Sequence, residues 1–281
     1  KYSMTCMLIG AIANTILDPI FIFAFDMGVK GAAYGTAIGY CIPAIFGLIF
    51  FSLDRNGSLR FVKPTFDAPV LAHICANGSS EMVTNLSNAV TTLFFNLTML
   101  HYLGEAGVAS ITIALYAQWF LTSIYFGFAS GVAPVFSYNH GCENHEQLHR
   151  IFNISIRFVA ISAVGVVLFA LLACDMLISI FVFPSSEVFS ITSSGFKLFA
   201  TSFLFVGTNI FSSGMFTALS NGKVSAIISF LRTFVFLLLS MFLLPLVMEV
   251  NGIWLTVPVA ELLTLGVSIF YFIRLRKVYH Y

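Results

Sequence analysis

The feature that most constrains this chain is a series of long apolar runs separated by short polar turns. A helix needs about 20 apolar residues to cross the hydrocarbon of a bilayer, where it satisfies its own backbone hydrogen bonds. We therefore predict an all-α integral membrane protein with eight transmembrane helices in this chain. The predicted helices cover residues 4–25, 31–53, 71–102, 107–138, 151–174, 188–218, 222–247 and 251–274.

The composition excludes a domain that folds in water. Hydrophobic residues make up 59% of the 281 residues and charged residues 9%, whereas soluble domains carry about 25% charged residues. The net charge of +1 gives no basic field that would attract nucleic acid. We therefore expect a lipid bilayer and no nucleic acid as partners. Separately, we expect the plasma membrane as the location and a monomer as the oligomeric state.

The basic residues predict the orientation of the helices, because cytoplasmic loops are enriched in Lys and Arg. If the helices alternate in direction, one side of the membrane collects ten basic residues and the other side only Lys30. The ten are Lys1, Arg55, Arg60, Lys63, Arg150, Arg157, Lys223, Arg274, Arg276 and Lys277. Both ends of this chain are therefore predicted to face the cytoplasm.

Two segments of the sequence resemble each other and indicate an internal repeat. Residues 27–39 can be laid on residues 248–260, so that a Met, a Val and a Gly coincide, and each segment is a turn entering a helix. Transporters are often built from such repeats. The last six predicted helices then form one complete repeat and the first two the end of an earlier one.

Several stretches resemble the multidrug and toxic compound extrusion (MATE) family, in order along the chain. The segment Asn14-Thr-Ile-Leu-Asp18-Pro19, followed by the turn at 27–33, resembles the end of the first lobe of that family. Second-lobe patterns of bacterial members are similar to residues 77–85, 127–141, 220–223 with Arg232, and 252–261. The resemblance implies a twelve-helix, two-lobe fold that exports organic cations by antiport against H⁺ or Na⁺.

The resemblance also divides the chain. Residues 1–54 correspond to the last two helices of the first lobe, residues 55–70 to a cytoplasmic linker between the lobes, and residues 71–281 to the six helices of the second lobe. The chain begins at Lys1 without an initiator Met, directly before apolar sequence, so we expect a fragment.

Asp18 is the leading candidate for a coupling residue. It lies well inside the first apolar run, where an ionisable side chain is costly and marks an ion pathway or a partner. Asn14 lies four residues earlier, on the same helical face, and offers its amide to the carboxylate. The resemblance adds Thr36 on the next helix, because related transporters use an Asn, an Asp and a Thr in this cation site. A kinked Asp-Pro helix, whose carboxylate only bonds a neighbouring backbone group, is the alternative.

Four other ionisable residues fall within predicted helices. Matching depth along the helices predicts the pairs Glu81–Arg232 and Lys197–Glu261, since unpaired charge is disfavoured in lipid. A structural role for these pairs is favoured over a role in substrate binding.

A polar stripe on the third predicted helix includes Asn88. With Tyr116, Gln118 and Asn209 it forms a set of amides and an aromatic ring suited to an organic cation. Contact between helices is an equally good explanation of the stripe.

Three other functions stay open at this point. A flippase for lipid-linked glycans or precursors, from the same superfamily, is expected to place several cationic residues in its cavity for phosphates. An inactive truncated fragment is the second, and an integral membrane enzyme the third. The sequence holds no Gly-x-Ser-x-Gly, Walker or dinucleotide motif. We therefore predict no enzymatic activity, no metal site and no cofactor besides the coupling ion.

Overall fold

The computed structural model describes residues 2–53, 66–279 and 281, without the side chains of Ser80, Glu81, Thr84 and Asn88. All regular secondary structure in this described part is helical, so the predicted all-α fold is confirmed. The helices are α1 (Tyr2–Pro19), a π-helical segment (Ile20–Ala24), α2 (Gly28–Leu53), α3 (Ala68–Gly141), α4 (His145–Leu172), α5 (Cys174–Ser179), α6 (Glu187–Phe199), a 3-10 turn (Ala200–Ser202), α7 (Phe203–Ala218), α8 (Gly222–Phe230), a second π-helical segment (Leu231–Leu237) and α9 (Leu238–Tyr279).

Two of these helices are interrupted by one non-helical residue each. α3 breaks at Gly104 (φ 63°, ψ −150°) and α9 at Glu249 (φ 49°, ψ −127°). Six apolar helical stretches in the described residues are long enough to span a membrane, and two of them, of 57 and 58 residues, contain these breaks. Division at the breaks gives eight spans, and both breaks lie in turns that the sequence predicted.

The chain forms two compact units, Lys1–Asp67 and Ala68–Tyr281. In the first unit α1 and α2 pack against each other. The buried residues of α2 are Gly31, Gly35 and Gly39, spaced four apart so that they share one face. Small residues at this spacing allow two helix backbones to approach closely inside a membrane. Residues 54–65 of the chain, which cover most of the predicted linker, lie outside the described residues.

The second unit has two hydrophobic clusters. One surrounds Phe199, Phe203 and Trp254, and Trp254 lies directly over Gly195, where a Cβ atom would overlap its indole ring. The other surrounds Phe211 and Phe216, near the last residues of the chain. Many apolar side chains remain exposed on the outside of the helices, as expected where the solvent is lipid.

Local geometry in the two units repeats as the sequence comparison predicts. Gly28, the first residue of α2, has φ 52°, and Glu249, at the equivalent position in α9, has φ 49°. Three residues later, Gly31 and Gly252 each touch the backbone of the preceding helix, so that a Cβ atom on either would overlap main-chain atoms. The same turn therefore connects the last helix pair of each unit.

Candidate functional site

The first unit brings Asp18, Asn14 and Thr36 together. The Nδ2 group of Asn14 donates to both carboxylate oxygens of Asp18, at 3.2 and 3.1 Å, as the four-residue spacing predicted. The same group lies 3.4 Å from Oγ1 of Thr36 on α2. The three side chains thus form one cluster of oxygen atoms around an amide. Thr36 is exposed and Asp18 half-buried, so the cluster is open on one side within this unit.

The Asp18 carboxylate occupies a space that the sequence leaves empty on α2. A Cβ atom built on Gly35 would overlap Oδ1 of Asp18, and one built on Gly39 would lie 2.8 Å from Cβ of Asn14. The absence of both side chains allows α1 to present its polar face directly to the backbone of α2. Gly35 therefore fixes where the carboxylate lies relative to Thr36.

Asp18 has no basic partner in the part of the chain that the structure describes. The ion pair found within the described ranges joins Arg232 and Glu261 in the second unit. Among the described residues its carboxylate is bonded by the neutral amide of Asn14 and by no cationic side chain. The first π-helical segment, Ile20–Ala24, begins two residues after Asp18, and such segments are frequent at functional sites.

The second unit contains a buried polar network around Glu261. Depth along the helices predicted Lys197 as the partner of Glu261, and this prediction was wrong. Nε of Arg232 donates to Oε1 of Glu261 at 2.8 Å, and Nη2 of Arg232 donates to the same oxygen. The predicted partner of Glu261, Lys197, is exposed on α6 instead. Arg232 and Glu261 lie on neighbouring spans that pack closely against each other. Two side chains on such spans meet only if both helices are rotated so that the side chains face each other. The depth of a residue in the membrane does not predict this rotation.

Two of the predicted residues cannot be placed. The side chains of Glu81 and Asn88 lie outside the described residues, although the backbone of both is helical. The proposed contact of Glu81 with Arg232 therefore stays a prediction.

The sequence predicted that Asn209 lines a solute path. In the structure Asn209 is buried instead and bonds to Glu261 of the ion pair. Its Nδ2 group donates to Oε2 of Glu261 at 2.8 Å and to the Glu261 carbonyl at 2.9 Å. Ser268 donates to the remaining oxygen of the Asn209 amide at 3.0 Å. The amide is 1% exposed, and both its Nδ2 and its Oδ1 atom form hydrogen bonds within the network.

A cavity of about 110 Å³ lies beside this network. Gln118 lines it, as does Trp119, whereas Tyr116 packs parallel to Phe181 with ring centroids 6.4 Å apart. The other polar residues of the cavity are Ser87, Thr91, Thr92, Thr122, Ser229, Arg232, Thr233 and Glu261. Passage of a solute along Gln118 stays a prediction.

The family model described as MatE matches residues 81–243, more than half of the chain. The chain belongs to the MATE family. This confirms the resemblance drawn from the sequence.

The curated MATE relatives are longer than this chain. The multidrug export protein MepA of Staphylococcus saprophyticus is 29% identical over 255 residues, 90% of this chain and 54% of that protein. MepA of Staphylococcus aureus (strain bovine RF122 / ET3-1) is 26% identical over 262 residues, 92% of this chain and 57% of its own length. The chain thus spans about half the length of these relatives.

Solved transporters share the fold. A MOP superfamily transporter from Pyrococcus furiosus is 22% identical, with a TM-score of 0.88 over 95% of this chain and 61% of that one. An outward-facing multidrug resistance transporter of the MATE family is 23% identical, with a TM-score of 0.87 over 95% of this chain and 60% of the other. The MATE chain is therefore a multi-pass membrane protein with the helical fold of these transporters.

Sequence reasoning missed the part that Gly35 plays beside Asp18. The signal was present as three glycines spaced by four, Gly31, Gly35 and Gly39. This spacing indicates close helix contact, but it does not reveal which residue of α1 packs against each glycine.

Proposed function

We propose that the whole protein containing this chain is a secondary active exporter of organic cations in the bacterial plasma membrane. Export is driven by antiport, with H⁺ or Na⁺ as the coupling ion, and Asp18 binds that ion together with Asn14 and Thr36. The relatives named as multidrug export proteins support an exporter of drug-like solutes, and the protein is not an enzyme in this proposal.

The single observation that carries the proposal is the set of groups around the Asp18 carboxylate. It lies within a membrane-spanning helix, is bonded by the neutral amide of Asn14, and has no cationic partner among the described residues. Placing a lone acid at such a depth costs free energy, and acids there usually serve ion movement. The Arg232–Glu261 pair, by contrast, is already neutralised.

The cluster suits either coupling ion. A proton that binds Asp18 removes its charge and weakens the bond from Asn14, because an amide donates more strongly to an ionised oxygen. A Na⁺ ion is a hard cation that prefers oxygen ligands, and the carboxylate of Asp18 and the hydroxyl of Thr36 supply them. In both cases ion binding changes the contacts between α1 and α2, which gives the ion a means to favour one conformation.

The flippase alternative finds less support. A phosphate-bearing lipid precursor needs several cationic side chains in the cavity that receives it. The cavity in the described part of the second unit holds a single one, Arg232, and that side chain is paired with Glu261.

The test is Asp18→Asn in the full-length protein, reconstituted into liposomes. Asn keeps the shape of the side chain but cannot take up a proton or carry a negative charge. We expect the variant to lose the transport of a fluorescent organic cation that the coupling-ion gradient drives in the wild type, with unchanged expression and thermal stability in detergent. Imposing a pH gradient and a Na⁺ gradient separately identifies the coupling ion.

Asp26→Asn is the matched control, because Asp26 lies in the turn after the first π-helical segment at φ 52°, a conformation that Asn adopts readily. This variant is expected to transport as the wild type does. Gradient-driven transport that persists in Asp18→Asn would exclude Asp18 as the coupling residue.

A further inference from the structure

Two opposite charges lie near each other on the surface of the second unit without forming an ion pair. Asp175 lies in the first turn of α5 and Lys197 in the last turn of α6, and both side chains are exposed. Both charges are close enough to the Cys174 thiol to act on it electrostatically. The ion pair within the described ranges nevertheless joins Arg232 and Glu261. Each of the two exposed charges can therefore still bind an opposite charge.

Contacts between α5 and α6 hold the Asp175 carboxylate in place. Ser193 donates to Oδ1 of Asp175 at 2.7 Å, and Sγ of Cys174 lies 3.9 Å from the Ser193 carbonyl oxygen. Lys197 follows Ser193 by four residues, so the two side chains leave α6 on neighbouring parts of one face. Neither Oδ2 of Asp175 nor the ammonium group of Lys197 has a hydrogen-bond partner in the described part of the chain.

The length of the helix places this pair of charges at the outer boundary of the membrane. Lys197 precedes Ala218, the last residue of α7, by about 21 residues, which is roughly 32 Å at 1.5 Å per residue. The hydrocarbon of a bilayer is about 30 Å thick. Since the turn after α7 is predicted to be cytoplasmic, Lys197 reaches the depth at which the lipid headgroups of the other leaflet begin. Asp175 lies at a similar depth, because it bonds to Ser193.

The surface next to these charges is apolar and exposed. Leu172, the last residue of α4, is 87% exposed, and Phe183, before α6, is 84% exposed. Met176 and Ile180, in and directly after α5, are exposed as well. Apolar and aromatic side chains at the edge of the hydrocarbon contact acyl chains and the interface. A ligand that fits this surface therefore combines a charged headgroup with hydrocarbon chains.

We propose that Asp175 and Lys197 bind the headgroup of an aminophospholipid, a lipid that carries both a phosphate and a primary amine. Lys197 donates to the phosphate oxygens. Oδ2 of Asp175 accepts from the ammonium group, since an ionised carboxylate is an acceptor only. The acyl chains lie against the apolar residues around α5.

This arrangement of charges distinguishes between headgroups. Asp175 repels an anionic headgroup that has no amine, and a quaternary ammonium has no N–H group to donate to it. The predicted topology enters the proposal only through the choice of leaflet. The proposal does not rest on the export function.

The experiment measures lipid binding to the intact, full-length protein in detergent by native mass spectrometry. The probes are the dioleoyl forms of phosphatidylethanolamine, phosphatidylcholine and phosphatidylglycerol, which share their acyl chains. The first is zwitterionic with a primary amine, the second zwitterionic without an N–H group, and the third anionic. Phosphatidylethanolamine is expected to bind about tenfold more tightly than either of the others, because hydrogen bonds between charged groups are the stronger ones.

The preference should depend on both charges. Asp175→Asn can keep the bond from Ser193 but no longer attracts an ammonium group, so phosphatidylethanolamine and phosphatidylcholine should bind equally. Lys197→Gln should weaken the binding of phosphatidylethanolamine about tenfold, whereas Lys197→Arg keeps a positive charge and should bind as the wild type does. Glu187→Gln and Lys223→Gln change exposed charges elsewhere on the unit. These two matched controls should keep the wild-type dissociation constants.

Three results would overturn the proposal: equal dissociation constants for the three lipids in the wild type, tightest binding of phosphatidylglycerol, or an unchanged preference in both Asp175→Asn and Lys197→Gln. The same spectra report the oligomeric state. A dimer that dissociates on Lys197→Gln would place a second copy of the protein on this surface, and would also overturn the proposal. The Asp18→Asn variant is expected to bind the three lipids normally, so a failure of the coupling proposal and a failure of this one are distinguishable.

Discussion

At the residue scale, the site in the first unit depends on a glycine, because a larger residue would fill the space of the acid. Gly35 leaves open the space that Oδ1 of Asp18 occupies, and a Cβ atom there would overlap that oxygen. The bonds from Asn14 to the carboxylate have ordinary lengths of 3.1 and 3.2 Å, so nothing but the absent Cβ is needed to explain how the acid reaches the surface of α2. Gly35 is therefore a positioning residue for the proposed ion site.

Replacing Gly35 by Ala should move the Asp18 carboxylate away from Thr36. We expect gradient-driven transport by the full-length protein to fall by about tenfold or more, since small displacements of a working group have effects of that size. The measurement is uptake of a fluorescent cation into proteoliposomes, at a fixed imposed gradient.

Gly47→Ala on the same helix is the matched control, because a Cβ atom at Gly47 would have no other atom within 4 Å. Both substitutions favour helix formation by up to about 1 kcal/mol. A similar transport rate for Gly35→Ala and Gly47→Ala would show that the space left by Gly35 does not position Asp18.

At the element scale, two residues interrupt the long helices, and only one of them suits its position. Gly104 and Glu249 adopt nearly the same backbone conformation, with φ 63° and 49° and strongly negative ψ. Glycine has no Cβ and adopts this conformation readily, while for other residues it is strained. The repeated turn in the first unit also has a glycine, Gly28, at the position equivalent to Glu249.

Glu249→Gly should therefore stabilise the protein, by about 1 kcal/mol, the usual strain of a non-glycine residue in such a conformation. Glu249 is exposed, so little contact is lost with its side chain. The measurement is the melting temperature of the full-length protein in detergent.

Glu146→Gly provides the comparison, because Glu146 lies in the first turn of α4. That change should lower stability by roughly 0.5–1 kcal/mol, the cost of glycine within a helix. If Glu249→Gly lowers the melting temperature as Glu146→Gly does, the turn at residue 249 is not strained.

The two π-helical segments are also features of single elements. Pro19 lacks the N–H group that would continue the regular helix, and beyond it Phe25 donates to Ile20 at 3.1 Å, a bond that spans five residues. The wider turn lies directly after Asp18. The segment around Arg232 contains no proline, so a proline cannot be used to predict its π-helical turn from the sequence.

At the scale of the whole molecule, the charge distribution predicts which loops face the cytoplasm. Cys142 lies in the turn between α3 and α4 and is exposed. Ser185, between α5 and α6, is exposed as well, and the predicted topology puts it on the opposite side of the membrane. We expect a membrane-impermeant maleimide to label Ser185→Cys, but not Cys142, in intact cells.

Each cysteine is tested alone, in a full-length protein whose other cysteines are replaced by Ser. Permeabilised cells are the control, where both positions should react. Labelling of Cys142 in intact cells would reverse the predicted orientation.

The sequence alone determined the number of spans, the two breaks within α3 and α9, and the local pair of Asn14 and Asp18. Each of these depends on residues close together along the chain: the length of an apolar run, a glycine or charge at a break, or a four-residue spacing that puts two side chains on one helical face. The MATE resemblance added Thr36, and the structure places it beside Asn14.

Only the tertiary structure decided which side chains meet across helices. It paired Glu261 with Arg232 instead of Lys197, turned Asn209 inward, and placed the Asp18 carboxylate over Gly35. Depth in the membrane can be estimated from position in the sequence, but contact also requires a rotation about each helix axis and a choice of neighbour. Packing of the whole unit sets both, so no local pattern contains them.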